Sequence, residues 1–239
     1  GRTSRAVIEH VTFSAQKGQT VAFIGSTGSG KSTLVNLIPR FYDATEGKIL
    51  VDGINVKNYS HQELNNKVGY IPQKAVLFSG TIRSNMEFGE SSQGKLEDEA
   101  IWKALELAQA KEFVATKEKG LDTEVAQGGS NFSGGQRQRL AIARALARKP
   151  EILIFDDSFS ALHYKTDATL RRRLKEVTQD ATVLIVAQRV GTIMDADQII
   201  VLDKGEIVGR GRHEELMESN EIYREIANSQ LNQKSLTED

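Results

Sequence analysis

A glycine-rich segment near the start of the chain has the residue types of a phosphate-binding loop. It contains Gly-Ser-Thr-Gly-Ser-Gly-Lys-Ser and directly follows the apolar run 21–24. The glycines let the backbone bend around a phosphate with its N–H groups pointing inward, and the helix expected next adds the positive end of its dipole. The lysine can reach the outer phosphates, and the following serine hydroxyl can hold Mg²⁺. We therefore predict a nucleoside triphosphate site formed by Gly25, Ser26, Thr27, Gly28, Ser29, Gly30, Lys31, Ser32 and Thr33.

Two aspartates, Asp156 and Asp157, follow a second apolar run, residues 152–155. An enzyme that binds triphosphate in such a loop needs an acid at the end of a neighbouring strand to orient Mg²⁺. Asp156 is the candidate. Two aspartates after a strand also fit a simple turn, but the glycine-rich loop upstream favours the metal interpretation.

A third candidate site lies between these two segments, where Phe132, Ser133, Gly134, Gly135 and Gln136 precede an Ala/Leu/Arg-rich helix. The serine can cap the helix, and the two glycines allow an anion to approach the backbone closely. Since the first loop already accounts for one phosphate site, a second anion-binding helix start indicates a nucleotide shared between two chains. An ordinary capped helix with a basic face is the alternative.

The elements that must position these residues alternate along the chain, which predicts an α/β fold with a mostly parallel sheet between helices. Several apolar runs lack polar alternation, as expected for strands covered on both faces. The predicted strands are 20–24, 48–51, 68–71, 152–155, 182–187, 198–202 and 206–209, the last two forming a hairpin. The predicted helices are 32–38, 96–109, 111–116, 134–147, 166–177, 214–218 and 222–231. Residues 78–148 should form a helical subdomain, and 232–239 a frayed tail.

Composition excludes several other classes of protein. The 239 residues carry 31 Lys and Arg against 32 Asp and Glu, so no net charge favours nucleic acid or anionic lipid. The absence of cysteine excludes disulfides and thiolate metal sites. The apolar runs are strand-length and no signal peptide is recognised at the start, so a cytosolic location is expected. A soluble piece of a larger membrane protein has the same composition.

With these motifs in place, nearly the whole chain resembles the nucleotide-binding domain of ATP-binding cassette (ABC) transporters. Residues 132–136 match the family's signature motif, with Phe where Leu is common, and residues 70–73 match the Q-loop. Residues 77–82 resemble the exporter branch, 123–129 its X-loop, and 160–162 the D-loop.

The resemblance implies a P-loop NTPase (RecA-like) core at about 1–77 and 149–239, with the helical subdomain at 78–148 and a small antiparallel β part. ATP and Mg²⁺ are the implied cofactors, with Ser32, Gln73 and Asp156 around the metal. The implied partners are a second nucleotide-binding subunit and a transmembrane permease domain, with no nucleic acid, at the cytoplasmic face of the cell membrane. The aromatic residue that stacks on adenine and the first strands of the family are expected to precede residue 1. Weak nucleotide affinity is therefore expected for residues 1–239 alone. Residues 7–13 resemble the strand that follows that aromatic in the family, and Phe13 is expected in the core.

The sequence departs from the family pattern at three positions. Asp157 replaces the catalytic glutamate, Gln188 replaces the switch-loop histidine, and His163 replaces an aspartate and is assigned no role. Asp157 has a shorter side chain than glutamate, and the Gln188 amide can donate a hydrogen bond but cannot take up a proton or a charge. Slow hydrolysis is therefore predicted at a catalytic set of Asp157, Gln188 and Gln73. This pattern is similar to heterodimeric exporters with one degenerate site.

The sequence leaves other functions open. A slow homodimer is the alternative to the heterodimer, and a regulatory nucleotide-binding module without turnover is the alternative to an energy-coupling subunit. A non-transport ABC ATPase acting on DNA or ribosomes predicts a basic surface or a long coiled-coil insertion, and the sequence shows neither. A P-loop kinase has no use for the signature motif.

Overall fold

A computed structural model of the chain describes residues 7–26, 28–88 and 95–237, with side chains through residue 232. The strands are β1 (Thr20–Gly25), β2 (Leu50–Val51), β3 (Ile54–Asn55), β4 (Val68–Ile71), β5 (Gly80–Thr81), β6 (Glu124–Val125), β7 (Ile152–Asp156), β8 (Thr182–Val186), β9 (Gln198–Asp203) and β10 (Glu206–Gly211). The helices are α1 (Lys31–Asn36), α2 (His61–Lys67), α3 (Ile82–Met86), α4 (Asp98–Leu107), α5 (Lys111–Ala115), α6 (Gly134–Ala147), α7 (Tyr164–Val177), α8 (Val190–Ile193), α9 (His213–Ser219) and α10 (Glu221–Thr237).

Six strands form the central sheet in the order β10-β9-β1-β8-β7-β4. All neighbouring pairs are parallel except β9 and β10, which form the predicted antiparallel hairpin. Successive residues of a strand point to opposite faces. Ala22 and Ile24 therefore belong to one buried apolar cluster, and Val21 and Phe23 to another. Both faces are covered, which confirms the prediction of an α/β fold with a mostly parallel sheet.

The parallel strands bring the predicted site residues to one edge of the sheet. The carboxyl ends of β1, β7, β8 and β4 lie side by side, and each is followed by one of the candidate segments. In open α/β sheets this edge is where ligands bind. The topology therefore gathers the phosphate loop, the aspartates, the switch segment and Gln73 from distant parts of the chain.

Between β4 and β7 the described residues are mostly helical. Helices α3, α4, α5 and α6 lie there, together with the short antiparallel pair β5–β6, which sequence reasoning missed. Helix α6 has the predicted bounds. Its start is fixed by a capping box, in which the Gln136 amide donates to Ser133 Oγ (3.1 Å) and the Ser133 amide to Gln136 Oε1 (3.0 Å).

Three further features differ from the sequence expectation. Helix α2, opened by a Ser60–Glu63 capping box, was not predicted. Helix α10 continues to Thr237, so part of the expected frayed tail is helical. Residues 7–13 form no strand, and their one backbone bond to the hairpin joins the Glu9 amide to the Gly205 carbonyl (2.9 Å). Phe13 packs in the core as expected, with its ring centroid 5.1 Å from that of Phe23.

In the part of the chain that the structure describes, no helix combines the length and the apolar character needed to cross a bilayer.

Candidate functional site: a phosphate loop beside two aspartates

The glycine-rich segment forms a tight loop between β1 and α1. Gly30 precedes the helix with φ of 97°, a left-handed conformation that favours glycine. Lys31 is 8% exposed, and its ammonium donates to the carbonyls of Gly25 (2.6 Å) and Ser26 (3.2 Å). Burial lowers the pKa of Lys31, while Asp157 and Asp156 oppose that shift. The lysine therefore lies folded into the loop beside two carboxylates.

Close packing explains why glycine is needed at the start of the loop. A Cβ on Gly25 would lie 2.2 Å from the Leu202 carbonyl oxygen and 2.7 Å from Ser29 Oγ. Ser29 is 2% exposed, and its hydroxyl has no hydrogen-bond partner among the described residues. A Cβ on Gly28 would meet no atom within 4 Å, and Thr33 is half-buried. Thr27, predicted as part of this loop, lies outside the described residues.

Asp156, at the end of β7, accepts hydrogen bonds from two hydroxyl groups. Ser32 Oγ donates to Asp156 Oδ1 (2.8 Å), and Tyr70 Oη donates to Asp156 Oδ2 (2.6 Å). Burial, followed by the bond to Asp156, raises the pKa of Tyr70, so the phenol remains a donor. A hydroxyl and a carboxylate in contact are hard oxygen ligands of the kind Mg²⁺ takes. The residues present therefore fit a magnesium ion; Tyr70 was not recognised as part of this site from the sequence.

Asp157 has an unusual backbone and an unusual environment. Its φ is 55°, and its amide donates to the Val186 carbonyl (2.8 Å), which fixes the carboxylate beside the end of β8. Burial and the neighbouring Asp156 raise the pKa of Asp157, against the opposing effects of Lys31, Arg189 and a hydrogen bond from the Gln188 amide. A carboxyl with a raised pKa at such an edge is a candidate proton acceptor.

Gln188 follows β8 with an exposed side chain. Gln73 follows β4, and it is also exposed. Among the described residues no hydrogen bond joins Gln73 to Ser32 or Asp156. The structure therefore brings two members of the predicted metal set together and leaves the third at the same edge without contact.

The Q-loop backbone is nevertheless connected to helix α6. Gln138 is 1% exposed, and its Nε2 donates to the Pro72 carbonyl (3.0 Å). Ser158 is fully buried, and its hydroxyl donates to the Ile71 carbonyl (2.6 Å). Both residues were missed in the sequence, because nothing local distinguishes a buried donor from any other polar residue.

The signature segment presents some residues to solvent and buries another. Ser133 and Gly134 are exposed, and a Cβ on Gly135 would lie 3.7 Å from the Ala161 carbonyl oxygen of the D-loop. Phe132 is 4% exposed and packs near Phe113, so its side chain anchors the segment in the core and is not offered to a nucleotide. No hydrogen bond connects residues 132–136 to the phosphate loop within the described chain.

A buried ion-pair network holds the segment after β8. Asp167 is 2% exposed and accepts from Arg189 (2.9 Å), Arg171 (2.5 Å) and Thr192 (2.9 Å). Arg189 also donates to the carbonyl of Leu162 in the D-loop and to that of Phe159, which directly precedes the D-loop. The switch segment and the D-loop are thus joined through one guanidinium, which sequence reasoning did not identify.

Comparison with known proteins decides the family. The family model described as ABC transporter matches residues 8–160. The chain belongs to the ABC transporter family. This membership agrees with the loop, the strand-end aspartates and the capped glycine-rich helix described above.

Individual ABC relatives cover nearly all of this chain. It is 50% identical over 224 residues to an uncharacterized ABC transporter ATP-binding protein of Mycobacterium tuberculosis, covering 94% of this chain and 38% of that protein. It is 43% identical over 225 residues to an ATP-dependent lipid A-core flippase of Mannheimia succiniciproducens, with the same two coverages. A solved structure of a bacterial Atm1-family ABC exporter with ATP bound superposes with a TM-score of 0.89 and 35% identity, covering 96% of this chain and 40% of that one. The chain therefore spans about two fifths of the length of these relatives.

Proposed function

We propose that this chain is the ATP-binding domain of an ABC exporter and that it couples ATP binding at a dimer interface to the movement of a transmembrane domain. The observation that carries the proposal is the joint placement of buried Lys31 and the Ser32–Asp156 contact at one sheet edge. The similarity to an ATP-bound exporter structure over 96% of the chain supports the same function. In this proposal the chain lies at the cytoplasmic face of the membrane.

ATP and Mg²⁺ are the proposed ligands. Lys31 and the loop amides would neutralise the phosphate charge, and Ser32 and Asp156 would hold the metal, with Gln73 approaching from the end of β4. When bound, Mg²⁺ offsets charge on the phosphate oxygens. Ser133 and Gly134 would cover the nucleotide of a second subunit, since both are exposed at the start of α6. We retain the division into a core at about 1–77 and 149–239 and a helical subdomain at 78–148.

We further propose that this chain's own site hydrolyses ATP slowly and that the second subunit is a different protein. Asp157 has one methylene group fewer than the glutamate of the family, and general-base geometry is demanding. Gln188 can donate a hydrogen bond, but its amide does not take up or release a proton as the family's histidine does. Both changes affect this chain's site, whereas the exposed signature residues that would serve the partner's site are retained.

The test restores the two missing groups in the assembled exporter, with hydrolysis at the partner's phosphate loop disabled. We expect the native site to bind Mg-ATP, and Asp157→Glu combined with Gln188→His to raise its single-turnover hydrolysis rate by about 10²–10⁴-fold. Gln179→His with Asp180→Glu makes the same exchanges at exposed positions just before β8, at the amino edge of the sheet, and should leave the rate unchanged.

Two results would contradict parts of this proposal. Absence of ATP binding by the native site would overturn the function itself. Native turnover equal to that of the double variant would overturn only the slow site, and would favour a homodimer with ordinary variation at these positions.

A further inference from the structure

The last helix of the chain contacts the segment that follows β8. Gln230 of α10 donates from Nε2 to the Gln188 carbonyl (2.5 Å) and accepts at Oε1 from the Val190 amide (2.8 Å). One side chain thus satisfies two backbone groups that are two residues apart. Forty-two residues of chain separate Gln230 from Gln188, so the contact is tertiary.

Helix α8 needs this contact because its own start lacks a side-chain cap. Arg189 occupies the N-cap position and makes no capping bond, because a guanidinium has no acceptor for an amide N–H. Its guanidinium donates instead to Asp167 and to the Leu162 carbonyl. Val190 is 6% exposed, and its amide is one of the groups that a helix leaves without an internal partner. Gln230 supplies the missing acceptor from a different helix.

The same contact lies two residues from the backbone group that holds the candidate proton acceptor. The Asp157 amide donates to the Val186 carbonyl (2.8 Å), and Gln230 donates to the Gln188 carbonyl (2.5 Å). The stretch 186–190 is therefore bonded to Asp157 at one end and to Gln230 at the other. A shift of α10 would displace the stretch to which the Asp157 backbone is bonded.

Helix α10 is itself held firmly before Gln230. Tyr223 is fully buried, and its hydroxyl lies 2.6 Å from His213 Nδ1 of α9. Ala227 is 4% exposed, and the Tyr223 amide donates to Asn220 Oδ1 (2.9 Å). Gln230 lies about one turn beyond these anchors, so its side chain is presented from a fixed helix.

We propose that Gln230 is a positioning residue that sets the switch segment, and through it the Asp157 carboxylate, for reaction with bound ATP. The inference rests on the proposed function and extends it to a helix remote from the phosphate loop.

The experiment uses the assembled exporter with hydrolysis at the partner's phosphate loop disabled. Gln230→Leu removes both bonds, and Gln230→Glu keeps the acceptor for the Val190 amide but loses the donor to the Gln188 carbonyl. Asn228→Ala, at an exposed position of the same helix, is the matched control. We measure hydrogen exchange at the Val190 amide, the KM for ATP and the single-turnover hydrolysis rate.

For Gln230→Leu we expect faster exchange at Val190 and a rate lower by about 10- to 100-fold, with KM for ATP unchanged, since a displacement of about 1 Å is enough for such a loss. Gln230→Glu should retain the protection of Val190 and still lose rate, and Asn228→Ala should change neither. Unchanged exchange in Gln230→Leu would overturn the contact, and unchanged hydrolysis would overturn the positioning role. Absence of ATP binding in the unmodified exporter would instead contradict the proposed function.

Discussion

Asp157 combines two conditions that both act against an ionised carboxylate in the folded chain. It is half-buried beside Asp156, and the pKa of Asp157 is raised by burial first and by the neighbouring charge second. A carboxyl whose folded-state pKa lies above its unfolded value binds protons more tightly when folded, so the stability of the fold falls as pH rises through that window. At neutral pH the ionised Asp157 therefore lowers the free energy of unfolding compared with an uncharged residue at the same position.

At this scale we predict that Asp157→Asn raises the melting temperature at pH 7 and that its advantage shrinks as pH falls through the raised pKa of Asp157. Asparagine also tolerates the left-handed backbone (φ 55°) well, so any stability gained from the backbone conformation does not vary with pH. Gln109→Asn introduces asparagine at another left-handed position (φ 61°) without removing a carboxyl, and its effect should be the same at every pH. Thermal unfolding from pH 4 to pH 8 measures both. An advantage of Asp157→Asn that grows toward acid would contradict the assigned pKa direction.

At the scale of elements, the strands of the central sheet were predictable because burial on both faces leaves a continuous apolar run. The runs at β1, β7, β8 and β9 show this directly. Helix α6 was predicted to the residue because Ser133 is a recognisable N-cap before an Ala/Leu/Arg-rich run, and the structure adds the reciprocal bond from Gln136. Helix α2 has the same kind of box but only one buried residue, Leu64, so no apolar period indicated it.

The contacts that complete the site were not predictable from local sequence. Tyr70 to Asp156 and Gln230 to Gln188 join residues separated by 86 and 42 positions. Such pairs depend on which strands become neighbours and on where a helix packs. A local sequence pattern predicts neither the strand order nor the helix position. The loop, the aspartates and the signature segment were therefore predictable as motifs, whereas the groups that hold them in place required the structure.

The close packing of β1 against β9 predicts that a side chain at Gly25 destabilises the sheet. A methyl group on Gly25 would meet the Leu202 carbonyl oxygen at 2.2 Å, so Gly25→Ala must push the two strands apart. We expect a loss of about 1–3 kcal/mol in the free energy of unfolding, as for other overpacked positions. Gly191→Ala places the same methyl group in open space within α8 and should be neutral or stabilising by about 0.5–1 kcal/mol. Denaturant unfolding compares them, and equal midpoints would contradict the close packing.

At the scale of the whole molecule, two serines share one local structure and differ in what surrounds them. Ser133 and Ser60 are both exposed N-cap residues in capping boxes, the first at the signature segment and the second on α2. Replacing either by alanine removes a cap and should cost about 1 kcal/mol of stability. If Ser133 also covers the nucleotide of a second subunit, only its replacement should affect assembly.

We therefore predict that Ser133→Ala and Ser60→Ala lower stability by similar amounts, while only Ser133→Ala weakens ATP-dependent association of the two nucleotide-binding subunits in the exporter. ATP binding at this chain's own loop should persist in both variants, because Ser133 makes no hydrogen bond to residues 25–33 in the described chain. Association followed by cross-linking or energy transfer, with and without ATP, separates the two serines. Equal association in the two variants would mean that the signature segment serves only the stability of α6, and the shared-nucleotide arrangement would then be wrong.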